Sequence, residues 1–265
     1  MLSKNRHEMV SIAIVALEKA DKLIDLVASI IPQLNTKDEI IIVVGPPRVG
    51  APSDMTFEIA EEIARQVPLV TVYTSLLRSR NACYELAIRS CRGTTVFLAE
   101  PGDYWMPDKV STVLSTFSTS GVALVLHDAT LYMPRQNNRS YPSLFAIFGA
   151  QGDLSEQQIR DSYVGSCIAF RLALQQFFLP FPKQIVLYDQ WMGLVAEKYG
   201  GVALITKPLI SKTVGDGTDT LSLMVNVRER HDEQQRLKKT LKKRQKELNL
   251  VLRQLVESSR RTNKT

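Results

Sequence analysis

Four short apolar runs alternate with helical segments through the first hundred residues, and this alternation constrains the fold more than any other feature of the chain. Val10 to Ala16 (VSIAIVA), Glu39 to Val44 (EIIIVV), Leu69 to Tyr73 (LVTVY) and Val96 to Ala99 are short and rich in branched residues, as buried strands require. Between them, Glu18 to Ile31 carries Leu23, Leu26, Val27, Ile30 and Ile31 at near-helical spacing. A second helix, capped by Ser53 or Asp54, turns Phe57, Ile59, Ala60, Ile63 and Ala64 inward, and Arg80 to Ser90 does the same with Ala82, Cys83, Leu86 and Ala87. This order predicts an α/β domain whose mostly parallel central sheet is covered by helices on both faces.

The fourth strand ends abruptly at Glu100-Pro101-Gly102-Asp103, and Trp105 and Pro107 then lead into a helix from Asp108. Open α/β sheets bind ligands at the carboxyl ends of their strands, so Glu100 and Asp103 are the first candidate site residues. The same turn also suits plain solvent-facing punctuation and helix capping. Further on, Val122 to His127 is a strand that ends in Asp128, and Pro134 to Asp161 is an irregular segment suited to a mobile loop over the site. Gly165 to Phe170 is a short strand or buried turn. Tyr188 to Tyr199 is a helix with Asp189 at its amino end and Trp191, Leu194 and Val195 inward. Val202 to Ile205 adds an edge strand, and Lys207 to Thr220 is a glycine-rich loop.

The net charge of +6 belongs to the tail: from Val225 onward thirteen Lys or Arg face five Asp or Glu, leaving the first 224 residues near −2. Nucleic-acid binding by the main domain is not implied. Residues 1–220 therefore form one domain and residues 221–265 a basic, amphipathic, helical tail. In the tail, Leu237, Leu241, Leu248, Val251 and Leu255 recur at four- and three-residue steps if Arg244 is a polar interruption. That stripe suits packing on the domain itself, a coiled coil, or, with Lys238, Lys239, Lys242, Lys243 and Lys246, an anionic membrane surface. No run approaches 18 apolar residues, and the start lacks a signal-peptide core, so a cytoplasmic protein, peripheral at most to the inner face of a membrane, is expected. Cys83, Cys91 and Cys167 lack metal-site spacing and suit the interior. A nicotinamide-type dehydrogenase is disfavoured because no G-x-G-x-x-G follows the first strand.

Five segments, in order, carry a resemblance: VSIAIVALEKADKLIDLVASIIPQ, DEIIIVV, RSRNACYELAIRSCRGTTVFLAEPGDYWMPDKV, YVGSCIAFRLAL followed by LPFP, and YDQWMGLVAEKYGGVALITKPLI. Over residues 9–217 the chain resembles family 2 glycosyltransferases, closest to the bacterial rhamnosyltransferase-like branch. The resemblance implies a GT-A fold followed by a long C-terminal helix. It also implies transfer of a sugar, with inversion, from a uridine- or deoxythymidine-diphosphate sugar to a hydroxyl of a glycan or lipid-linked glycan in bacterial polysaccharide assembly. By position it makes Asp189 the catalytic base, places Arg80 and Asn81 against the donor, and sets Asp128 and Trp191 toward donor sugar or acceptor.

The departures from the family pattern are equally specific. The usual Asp-x-Asp-Asp reads Glu100-Pro101-Gly102-Asp103, so Gly102 stands where the usual metal ligand would be. Glu100 and Asp103 are the remaining candidates for Mn2+ or Mg2+. The late Tyr-Arg-x-His reads Ser211-Lys212-Thr213-Val214, which leaves Lys212 as a donor-side cation in the absence of the imidazole. The acidic pair after the second strand reads Val44-Gly45, and the early Tyr-Asn reads Leu17-Glu18. Two expectations follow: a transferase whose donor diphosphate is neutralised by a metal or by basic side chains, in a rearranged donor site where Glu100, Asp103, Lys212 and Arg78 or Arg80 substitute, or a catalytically impaired relative with a binding or scaffolding role. In either case the basic tail is expected to dock a membrane surface or a partner glycosyltransferase.

Overall fold

The computed structural model describes residues 8–17, 20–47, 55–133, 139–147, 162–183, 185–213, 232 and 234–246. The chain opens with β1 (Val10–Ala16), α1 (Ala20–Ile30), β2 (Glu39–Val44), α2 (Thr56–Gln66), β3 (Val70–Thr74), α3 (Arg80–Ser90) and β4 (Thr95–Ala99). β1, β2 and β4 are buried at every position, which is why their sequences read as continuous apolar runs. β1 pairs in parallel with both β2 and β4, and β2 with β3, so the order β3-β2-β1-β4 is the Rossmann-like half of the sheet. Ser53 and Asp54 lie outside the described residues; α2 begins after Met55, which has a left-handed backbone.

Beyond β4 the expected parallel arrangement is corrected. The chain continues through β5 (Asp103–Trp105), α4 (Lys109–Ser120), β6 (Leu124–Met133), β7 (Arg139–Tyr141), α5 (Leu144–Ile147), β8 (Ile168–Arg171), α6 (Gln175–Phe178), α7 (Tyr188–Tyr199) and β9 (Val202–Thr213). β8 runs antiparallel to β4 and β6, β5 antiparallel to β9, and only β6 with β9 is parallel in this half. The sheet is therefore mixed, in the order β3-β2-β1-β4-β8-β6-β9-β5 with β7 on β6.

β9 carries the larger revision. The expected edge strand of four residues followed by a loop is one twelve-residue strand, flanked by β6 and β5. It passes Pro208, which has no amide to donate, where the pairing with β6 shifts register between His127 and Ala129. Residues 207–213 of the expected loop thus become sheet, and Lys212 is presented from a strand. β6 likewise extends past His127 to Met133, so Asp128 lies within a strand.

The C-terminal tail is described only as helix over 232 and 234–246; Leu248, Val251 and Leu255 lie outside the described residues. Within it Leu237 and Leu241 are buried in the domain core, and Lys239, Lys242, Lys243 and Lys246 are exposed. Of the readings offered by its stripe, packing on the domain accounts for these two leucines. Arg244 clasps the joint: its guanidinium donates to the carbonyls of Phe178, Leu179 and Pro180, and it lies 6.0 Å from the Trp191 ring centroid. Hydrogen bonds from a charged donor contribute ~1.5–3 kcal/mol, so Arg244→Ala is expected to lower the melting temperature by several degrees and to speed proteolytic removal of the tail. Unchanged melting and proteolysis would show that the clasp contributes nothing.

Candidate functional site

The site is built where β4, β5 and β9 meet. The turn after β4 is closed on itself: the Asp103 amide donates to the Glu100 carbonyl at 3.0 Å and the Glu100 amide to Asp103 Oδ2 at 2.8 Å. Gly102, with φ +103°, adopts a conformation that disfavours side chains, and its carbonyl accepts from the Thr213 amide at 2.9 Å. This turn fixes both carboxylates beneath the end of β9.

The antiparallel register of β5 and β9 sets Asp103 opposite Lys212. Lys212 Nζ lies 2.9 Å from Asp103 Oδ1, 3.2 Å from Glu100 Oε2 and 3.2 Å from Ser166 Oγ. An ammonium has three hydrogens, and these three oxygens match them. Glu100 Oε1 meets Arg80, the first residue of α3, and accepts from the Tyr84 and Tyr188 hydroxyls at 3.3 Å each. Burial alone would raise the Glu100 carboxyl, but Arg80 first and Lys212 second hold it well below its ordinary 4.5. Burial would lower Lys212, but Asp103 and then Glu100 outweigh it and hold the ammonium above its ordinary 10.5.

Asp189 joins the same cluster through one short segment. Its Oδ2 accepts from the Gly165 amide at 3.2 Å, and the next residue is the Ser166 that receives Lys212. Its Oδ1 accepts from the Gln190 amide at 2.9 Å, a bond to the adjacent residue in the first turn of its own helix, whose N-cap is Leu187. A Cβ on Gly165 would fall 1.8 Å from the Tyr188 hydroxyl, so this residue must be glycine for the Tyr188 ring to lie here. Asp189, Glu100, Asp103, Lys212 and Arg80 are therefore one contiguous group.

The other expected residues lie differently. Trp191 is fully buried and its indole nitrogen donates to the Phe178 carbonyl at 3.0 Å, so it is a core residue and offers no face to a sugar. Asp128, 2% exposed, accepts from the Ala129 and Phe145 amides and the Ser143 hydroxyl, which makes it the anchor of α5. The Asn81 amide donates to the Ile185 carbonyl at 2.9 Å and ties α3 to the segment before α7. Arg78 bonds the carbonyls of Leu17 and Pro46, bridging the ends of β1 and β2 where the acidic pair is missing.

Four participants, Tyr84, Ser166, Tyr188 and Lys109, were not singled out in the sequence. Ser166 lies within a segment read only as strand or turn, and Tyr188 immediately precedes the more conspicuous Asp189. Lys109 is wholly buried, with Nζ 3.1 Å from the Ser166 carbonyl and 3.9 Å from the Trp105 ring centroid; burial lowers it to about 7. Its signal was position: Lys109 shares the helical stripe of Val113 and Phe117. His127 is also buried, with Nδ1 2.8 Å from the Asp128 carbonyl, and burial holds it well below its ordinary value.

A divalent metal does not fit this arrangement. The ammonium of Lys212 already bridges the two carboxylates at N–H···O distances, and no group of three metal-ligating side chains occurs among the described residues. Among the described residues no helix is long and apolar enough to cross a membrane.

No protein-family model and no curated protein matches the chain. Solved structures do. TarS 1–349 from S. aureus in complex with UDP-GlcNAc aligns with a TM-score of 0.63 at 16% identity, over 81% of this chain and 61% of that one. A mannosyltransferase from Pyrobaculum calidifontis in complex with GDP-Man and Mn2+ gives 0.58 at 16%, over 82% and 59%. Glucosyl-3-phosphoglycerate synthase from Mycobacterium tuberculosis, with Mn2+, UDP and phosphoglyceric acid, gives 0.57 at 14%, over 83% and 76%. The chain thus spans about three fifths of the first two. Identities this low carry likeness of fold alone, and none of these three is named a rhamnosyltransferase. The expected membership of family 2, its rhamnosyltransferase-like branch and the GT-A assignment accordingly do not stand. In their place the comparisons show that the chain shares a Rossmann-like α/β fold with nucleotide-sugar enzymes.

Proposed function

We infer that this chain is a glycosyltransferase that binds a uridine- or deoxythymidine-diphosphate sugar and transfers the sugar, with inversion, to a hydroxyl of a glycan acceptor in bacterial polysaccharide assembly. The observation that carries the reading is the continuity of the cluster: Asp189, through Gly165 and Ser166, adjoins Lys212, Glu100 and Arg80 at the carboxyl end of β4. That solved structures of similar fold contain UDP, UDP-GlcNAc and GDP-Man supports a nucleoside diphosphate sugar as the ligand class. In the mechanism, Arg80, one third exposed, faces the diphosphate, and Lys212 keeps positive charge behind it as the leaving group departs. Asp189 accepts the proton of the acceptor hydroxyl while its oxygen attacks the anomeric carbon.

The test is calorimetric titration of the full chain with a panel of uridine- and deoxythymidine-diphosphate sugars. Saturable binding of at least one, abolished by Arg80→Ala, is the expected result. A folded sample that binds none of them overturns the transferase. One observation favours a second reading in that case: both oxygens of Glu100, Asp103 and Asp189 already accept hydrogen bonds within the protein. A site so satisfied also suits a catalytically impaired relative that scaffolds other proteins, with the exposed lysines of the tail as a docking face.

A further inference from the structure

We propose that Lys212 is a resident cation that replaces the divalent metal in this site, so that the native chain is indifferent to Mn2+ and becomes a Mn2+ protein when the ammonium is removed. The proposal rests on the placement of the side chains and does not depend on which ligand the site takes. Mn2+ accompanies two of the solved structures of similar fold, so the ion is the appropriate probe.

The geometry is that of an ammonium site. Nζ lies 2.9–3.2 Å from its three oxygens, whereas hard divalent cations hold oxygen ligands at about 2.0–2.6 Å. Its position is fixed by the sheet, because Lys212 pairs with Asp103 across β5 and β9 and both residues are almost fully buried. The side chain cannot swing aside without taking a charge through the core. Charge balance leads to the same conclusion. The two carboxylates that would hold the ion, Glu100 and Asp103, are already matched by the cations of Arg80 and Lys212, so an added Mn2+ would meet neutralised carboxylates a few ångströms from an ammonium.

Position 102 completes the replacement. Gly102 offers no side-chain oxygen there, and the carbonyl of Thr213 lies 3.4 Å from where a Cβ would stand. Removing Lys212 would leave Glu100, Asp103 and Ser166 facing one small vacancy, an oxygen-rich set with two carboxylates of the kind hard cations accept.

The experiment uses the full chain without nucleotide, so its outcome is separate from that of the functional reading. Free Mn2+ is followed by electron paramagnetic resonance, and thermal melting is recorded with and without the ion, for wild type, Lys212→Ala, Lys212→Arg and Lys212→Ala/Asp103→Asn. Wild type and Lys212→Arg are expected to take up no stoichiometric Mn2+. Lys212→Ala should bind at least about tenfold more tightly than wild type, with a melting temperature that rises on adding Mn2+. The double variant should lose that gain. Stoichiometric binding by wild type that Asp103→Asn abolishes would overturn the proposal, as would a folded Lys212→Ala with no greater affinity than wild type. If Lys212→Ala stays unfolded with or without the ion, no metal site has been exposed, and the proposal also fails.

Discussion

Asp103→Asn is expected to destabilise the protein by ~3–5 kcal/mol, the usual cost of removing one partner from a buried ion pair. The substitution keeps the shape of the side chain but withdraws the nearer of the two carboxylate charges facing Lys212, which is 5% exposed and has little access to water. At ~2–4 °C per kcal/mol for a chain near this size, the melting temperature should fall by about 10 °C. Lys212→Met combined with Asp103→Asn should recover part of the loss, because neither charge is then left alone. Equal losses in the single and double variants would mean that the two side chains are not coupled.

The same cluster fixes how stability responds to pH. Glu100 is held below its ordinary 4.5 in the folded state, so its contribution is complete above that pH and is lost as pH falls toward the folded value. Lys212 is held above its ordinary 10.5, so its contribution is complete below that pH and is lost as pH rises through the folded value. Lys109 acts in the opposite sense: lowered to about 7, it binds its proton more weakly when folded, so stability climbs between pH 7 and 10.5. Urea midpoints should therefore drop below pH 4.5 and rise from pH 7 toward 10. Lys109→Met should remove the alkaline rise while leaving the acid limb in place. A midpoint that is flat from pH 3 to 10 would show that these groups titrate alike in both states.

The parallel half of the sheet was legible because β1, β2 and β4 are buried at every position and read as apolar runs between helical segments, while β3, at the edge and largely exposed, keeps only a short branched run. The other half was obscured by particular residues. Lys207 and Pro208 break the apolar run of β9, and only pairing with β6 through an irregular register carries the strand past them. The turn at Glu100 announced itself through an abrupt change from apolar to acidic residues. The partner of Asp103 did not, because Lys212 lies 109 residues away and meets it only through strand order. Asp128 and Trp191 illustrate the reverse error. An acidic residue at the apparent end of a strand and an aromatic one on a site helix both look functional. Yet the first anchors α5, a role without a local signature, and the second fills the core, as its helical spacing with Leu194 and Val195 indicates and its position by resemblance did not.

Asp189→Asn is expected to cut sugar transfer by ~10²–10⁴-fold while leaving binding of the nucleotide sugar within a small factor of wild type. The amide keeps the side-chain volume and one oxygen able to accept from Gly165 or Gln190, so the backbone of α7 and the Ser166 turn should hold. What it cannot do is take a proton, and only a chemical step that needs a base is sensitive to that difference. Asp189→Ala removes both the base and the hydrogen bond to Gly165, and would additionally loosen Ser166 beneath Lys212. The comparison therefore separates chemistry from support. Equal melting temperatures for wild type and Asp189→Asn, together with collapsed transfer, assign the base. Full transfer by Asp189→Asn removes it from the chemistry and leaves Asp189 as the residue that pins α7 to the Ser166 turn.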